Sequence, residues 1–242
     1  MPRCCSNATQ SIRTFSTQWA EGRYGMTIKA AIFDWDGTIV DSVEHITDSL
    51  HKAATALSFP ALEKKAYRNI IGLGMDEALN TLYPGTPAER IQEIRSAYSD
   101  FFFSRETTPQ QLFQGVNAVL EDLRASGAGR AVATGKSRRG LDRALQSVGL
   151  HAHFDITRCA DETRSKPDPT MLLEILAFYG IPPHEAVMVG DTTYDLEMAE
   201  RIGMPSIGVQ WGVHGAEMLA QHSPRAIVST IPELRRELGL KE

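Results

Sequence analysis

The amino-acid sequence predicts an α/β fold, a Rossmann-like parallel sheet with helices on both faces, plus a small inserted all-helical unit. Three observations carry this. Short apolar runs recur along the chain, segments of helical spacing separate them, and one long block departs from the alternation.

Ile28 to Phe33 (IKAAIF) is mostly apolar, too short for a helix and suited to a strand buried on both faces. Similar runs lie at Ala131 to Thr134, Ala186 to Val189, Ser206 to Val209 and Ala226 to Val228. Between them, helical stripes such as Val116, Val119, Leu120, Leu123 and Leu172, Ile175, Leu176, Tyr179 each close on a glycine. Gly127, Gly149, Gly180 and Gly203 stand where left-handed C-terminal caps are expected. Repeated alternation of strand and helix predicts a parallel sheet whose ligand site lies at the carboxyl ends of the strands.

The departing block runs from 42 to 112, where the periodicity is helical throughout. Val43, Ile46, Leu50, Ala54 and Leu57 form one stripe, and Ile91, Ile94, Tyr98, Phe101 and Phe102 another. An insertion after the first strand forms a lobe above its carboxyl end. It is read as a cap, with hinges near Asp41 to Ser42 and near Thr107 to Gln111, on a core of 26–41 and 113–242. Residues 1–25 are left out of the fold. They are rich in Ser, Thr and Arg with one acid, Glu21, a composition that suits an organellar transit peptide or an extension with no fold of its own, and Met26 offers an alternative start.

With 242 residues, 42% of them hydrophobic, the chain has apolar material for one core and a small insertion, not for two full domains. A net charge of −5 with no basic run argues against phosphate-backbone binding, so no nucleic-acid partner is expected. No apolar stretch reaches the roughly 20 residues of a membrane helix, so no membrane partner is expected. The three cysteines, Cys4, Cys5 and Cys159, form neither a disulfide framework nor a metal-ligand spacing, and a reducing compartment is the simplest reading. The expected location is cytoplasmic, or organellar if 1–25 is a transit peptide.

Chemistry concentrates at the ends of the predicted strands. The first is followed by Asp34, Trp35, Asp36, Gly37, Thr38, and an i, i+2 pair on extended backbone points both carboxylates to one side. Such a pair can divide labour between a nucleophile and a proton carrier. A calcium loop is a poor reading, because His45 follows eleven residues after Asp34 where a glutamate is required. After Ala186 to Val189 come Gly190, Asp191 and, one turn on, Asp195. Separately, Asp191 reads as a helix N-cap and Asp195 as a first-turn charge. Acids converging from separate strands repel unless a hard cation neutralises them, and oxygen ligation at a phosphate site suits Mg²⁺.

Thr134, Gly135 and Lys136 follow the second strand and precede Arg138, Arg139 and Arg143. A hydroxyl and backbone N–H groups at such a turn can hold phosphate. An ATP-binding loop is rejected because position 130, where the earlier glycine belongs, is arginine. Arg139 and Arg143 read as a solvated helix face. In Lys166, Pro167, Asp168, Pro169, Asp168 reads as an N-cap and Pro169 as the first helical residue, leaving Lys166 just before a rigid helix start.

FDWDGT at Phe33, ATGKS at Ala133, KPDP at Lys166 and VGDTTYDLEMA at Val189, in this order, resemble the haloacid dehalogenase-like superfamily over Met26 to about Ser229. The position of the insert resembles the subfamily with a small helical cap, and the closest group is the phosphoglycolate phosphatase-like proteins. That resemblance implies a Mg²⁺-dependent phosphomonoesterase acting through an aspartyl phosphate on a small phosphorylated metabolite, with 2-phosphoglycolate the leading candidate. It makes Asp34 the nucleophile and Asp36 the general acid and base. Thr134 and the Gly135 amide bind phosphate, Lys166 stabilises the aspartyl phosphate, and Mg²⁺ is held by Asp34, Asp191 and the Asp36 carbonyl, with Asp195 orienting its water. Trp35 and Ser165 depart from the usual Leu and Gly without removing a catalytic group. The alternatives are a sugar phosphomutase, a pyrophosphatase of the same superfamily, and a catalytically idle member. Ile71 to Gly74 reads either as a substrate loop dipping toward the acids or as an ordinary helix connector.

Overall fold

The computed structural model describes residues 28–104 and 111–240. Residues 1–25 and most of the second predicted hinge, up to residue 110, lie outside them. Six strands form one parallel sheet: β1 (Ala30–Phe33), β2 (Gly129–Thr134), β3 (Ile156–Cys159), β4 (Ala186–Gly190), β5 (Ser206–Val209) and β6 (Ala226–Val228). Their order is β3-β2-β1-β4-β5-β6. The strand order therefore reverses at β1, the switch point where open α/β sheets place ligands.

The ten helices among the described residues are α1 (Val43–Ala56), α2 (Lys64–Asn69), α3 (Met75–Leu82), α4 (Ala88–Phe103), α5 (Val116–Ser126), α6 (Arg138–Ser147), α7 (Thr170–Tyr179), α8 (Thr193–Glu200), α9 (Ala216–Leu219) and α10 (Ile231–Glu237). Alternation along β1 sends Ala31 and Phe33 to a core under α5, α6 and α10, and Ala30 and Ile32 to a core under α7 and α8. Both faces are covered, which is why β1 and β4 are buried at every position. Gly127, Gly149, Gly180 and Gly203 all have positive φ, as the capping reading requires.

Helices α1 to α4 bury their apolar stripes against one another, around Leu50, Tyr67, Leu79 and Ile94, in a cluster separate from the two sheet cores. Lys64 and Arg68 on α2 pair with Glu44 on α1.

Two local readings are corrected. Strand β3 was not among the predicted runs. Its sequence, ITRC, is half polar, as suits an edge strand with a single neighbour, and four residues carry no usable alternation. Helix α7 starts at Thr170, with Pro169 as N-cap, because the Asp168 carboxylate accepts from both the amide (3.0 Å) and the hydroxyl (2.5 Å) of Thr170.

Candidate active site

The ends of β1 and β4 deliver the acids. The Asp34 amide donates to the Val189 carbonyl at 2.9 Å, tying the exit of β1 to β4, and Asp191 directly follows the last residue of β4. Gly37 turns the chain back with φ +83°, and a Cβ there would overlap the Asp191 carboxylate, so only glycine serves. Asp34, Asp191 and Asp195 are at most 1% exposed, and each offers a carboxylate oxygen within 4.8 Å of the others.

Each acid is held by its own donors. The Thr38 hydroxyl and the Val213 amide donate to the two oxygens of Asp191, both at 2.8 Å. Thr192, not Asp191, is the N-cap of α8, and its amide and hydroxyl donate to one oxygen of Asp195 at 3.2 and 2.7 Å. The other Asp195 oxygen accepts from Lys166 Nζ at 2.6 Å, and Lys166 Nζ also donates to Asp34 Oδ1 at 2.6 Å. The second Asp34 oxygen, Oδ2, is buried with no partner among the described residues.

Two carboxylates thus share one ammonium, with the third, Asp191, beside them. Burial raises the pKa of Asp34 well above the usual range; Lys166 counteracts this, while Asp195 and Asp191 add to it. Burial, then Asp195, pushes Asp191 up to about 7. Burial opposes the charge on Lys166, but Asp195 and Asp34 outweigh it and hold its pKa above the ordinary lysine value.

Asp36 sits apart from that cluster by its side chain. It accepts from the Ser42 hydroxyl at 2.5 Å and pairs with Lys136 Nζ at 3.0 Å. Lys136, given no role by the sequence, is largely buried and also lies 4.7 Å over the Phe102 ring of α4. Its adjacency to Thr134 and Gly135 was the available signal, and its partner lies a hundred positions away. Thr134 is buried at the end of β2, its hydroxyl accepting from the Lys136 amide at 3.2 Å.

Asp34, Asp36, Thr134, Gly135 and Lys136 line one cleft of about 770 Å³ between the sheet edge and α1 to α4. The 71–74 connector reaches into this region. A Cβ on Gly135 would overlap the carbonyl oxygens of Gly72 and Leu73, and the Gly74 amide donates to Ser165 Oγ at 2.7 Å. Arg139 and Arg143 are exposed, as a solvated face requires, yet they also line the cleft.

Fold and site together define an α/β enzyme with an acidic centre at the switch point of its sheet. The chain belongs to the haloacid dehalogenase-like hydrolases, whose family model matches residues 31–209. It is 35% identical over 209 residues to a probable phosphatase, IndB, of Dickeya dadantii, covering 84% of this chain and 90% of that protein. A phosphoglycolate phosphatase of Photorhabdus laumondii is 28% identical, covering 88% and 93% of the two chains. Among solved structures, a predicted phosphoglycolate phosphatase from Haemophilus somnus superposes with a TM-score of 0.77 over 88% of this chain and 99% of that one, at 21% identity, a likeness of fold. The family and its phosphatase relatives support phosphatase activity for this chain.

The acidic cluster suits a divalent cation. Its donors are hard carboxylate oxygens, its three carboxylates outnumber the one ammonium of Lys166, and Asp34 Oδ2 is an orphaned buried acceptor. No described helix is long and apolar enough to cross a membrane.

Proposed function

We propose that the protein is a Mg²⁺-dependent phosphomonoesterase that forms an aspartyl phosphate on Asp34, with helices α1 to α4 acting as a cap over the site. One observation carries the reading: a buried carboxylate, Asp34, has one oxygen fixed by Lys166 and the other unpaired, at the base of a cleft that also holds Asp36 and Thr134. When bound by Asp34, Asp191 and the Asp36 carbonyl, with Asp195 bordering the site, Mg²⁺ supplies the positive charge that lets a carboxylate approach a phosphate dianion.

The chain's own groups do the rest. Asp34 attacks phosphorus while the bond to the leaving oxygen breaks, and Asp36 gives its proton to that oxygen. Asp36 then takes a proton from water as the water attacks the phosphorus, which releases phosphate and restores Asp34. Lys166 opposes the burial-driven rise in the Asp34 pKa and steadies charge on the phosphoryl oxygens, with the Thr134 hydroxyl and Gly135 amide as further donors. The 71–74 connector packs on Gly135 and Ser165 beside the reacting end.

The substrate class is a phosphorylated organic acid, and the Photorhabdus relative makes 2-phosphoglycolate the first to test. A panel of phosphorylated metabolites assayed with Mg²⁺ is expected to show acids turned over faster than neutral sugar phosphates. Equal or better turnover of the sugars contradicts this class.

Cation binding must displace protons from Asp191, which titrates at about 7, and from Asp34, which is also raised. Mg²⁺ affinity is therefore expected to weaken by about tenfold or more per pH unit below 7. The sign for stability follows. A carboxyl whose pKa is raised by folding stabilises the native state below its unfolded value of about 4, and that contribution is lost as pH rises through about 7. Cation-free protein is expected to melt lower at pH 8 than at pH 5.5, and Mg²⁺ to raise the melting temperature more at pH 8. An Mg²⁺ response that does not change with pH contradicts the acidic cluster as the cation site.

A further inference from the structure

The cleft is larger than its reacting end needs. Drug-sized ligands fill cavities of about 300–1,000 Å³, so 770 Å³ leaves most of the space empty around a two-carbon acid. Beyond Asp34 and Thr134, α4 lines the cleft with Tyr98, Phe102 and Phe103, and α6 faces them with Arg139 and Arg143.

The two arginines are placed at a cost. Arg139 lies in the first turn of α6, where the helix dipole disfavours a cation, and that turn contains no acid. Arg143 lies one turn further along the same face, so the two repel. Other arginines in this region are matched: Arg138 by Glu162 and Asp142, and Arg95 by Asp76. Among the described residues neither Arg139 nor Arg143 has a carboxylate partner. The Arg143 guanidinium lies 4.6 Å over the Phe103 ring, which leaves its in-plane donors free. Asp100 and Asp161 also reach the cleft, but Asp161 is taken by the Arg138 amide at 2.8 Å.

We infer that the substrate's leaving group is longer than glycolate, with an apolar or aromatic body ending in a second anionic group, and that Arg139 and Arg143 recognise this group. The aromatic wall of α4 holds the body, and the two guanidinium groups supply the charge-assisted hydrogen bonds at its end. This rests on the phosphomonoesterase reading and narrows its substrate class.

The test compares kcat/KM for 4-carboxyphenyl phosphate, its neutral isostere 4-carbamoylphenyl phosphate, and 2-phosphoglycolate. The wild type is expected to prefer the carboxylate over the amide by about tenfold or more, and to prefer it over 2-phosphoglycolate. In the Arg139→Ala, Arg143→Ala double variant the ratio of carboxylate to amide is expected to fall to near one. Both side chains are exposed, so their removal does not threaten the fold. Turnover with no preference for the carboxylate, with 2-phosphoglycolate ahead, or with a preference that survives the double substitution overturns this inference alone. Failure to hydrolyse any phosphomonoester overturns the phosphomonoesterase reading and the inference with it.

Discussion

Replacing Asp34 with asparagine is expected to reduce Mg²⁺-dependent hydrolysis of p-nitrophenyl phosphate by about four orders of magnitude or more. The proposed nucleophile becomes an amide with no nucleophilic oxygen at neutral pH. The shape hardly changes, and asparagine keeps an oxygen that can accept from Lys166, as Asp34 Oδ1 does at 2.6 Å. One of three crowded buried carboxylates is also removed, so the cation-free variant should fold at least as stably as the wild type. Loss of activity with retained melting temperature is the expected pair of results. Activity within tenfold of the wild type would remove Asp34 from the nucleophile's role.

The second large effect belongs to Lys166, and it falls on stability as well as rate. Its ammonium is fully buried and bonded at 2.6 Å to both Asp34 and Asp195. Lys166→Met fills similar space but leaves those carboxylates without their cation, and breaking a buried ion pair from one side costs about 3–5 kcal/mol. The penalty is expected to be larger at pH 8 than at pH 5.5, since protonation relieves the stranded acids at lower pH. Loss of a donor to the phosphoryl oxygens should lower kcat by a further factor of about 10² to 10³. Urea unfolding at the two pH values measures the first effect and single-turnover kinetics the second. A variant with unchanged stability would mean that Lys166 does not neutralise the cluster.

How far such a site can be read in advance depends on how local its signals are. The β1 and β4 runs were legible because a strand covered on both faces is apolar at every position, and the acids were legible because they stand where those runs stop. Strand β3 was not, because an edge position tolerates the polar Thr157 and Arg158. Lys136 escaped for a different reason. A lysine beside a helix start is ordinarily solvated, and only the fold brings Asp36 and Phe102 to it from two other segments. The 71–74 connector had two readings that periodicity could not separate. Its packing on Gly135 and Ser165 depends on contacts across 60 to 90 positions, and no local pattern encodes those. Asp195 reads as a first-turn helix charge and, by the family resemblance, as the residue that orients the metal's water, and its two oxygens divide between Thr192 and Lys166.

The proposed mechanism passes a phosphoryl group through the carboxylate of residue 34. Rapid quenching during turnover, borohydride reduction and peptide mass spectrometry test this directly, because an aspartyl phosphate is reduced to homoserine at the residue that carried it. Homoserine at position 34, dependent on substrate and Mg²⁺ and absent from Asp34→Asn, is the predicted result. Steady hydrolysis with an unmodified Asp34, or with homoserine at another aspartate, would contradict it.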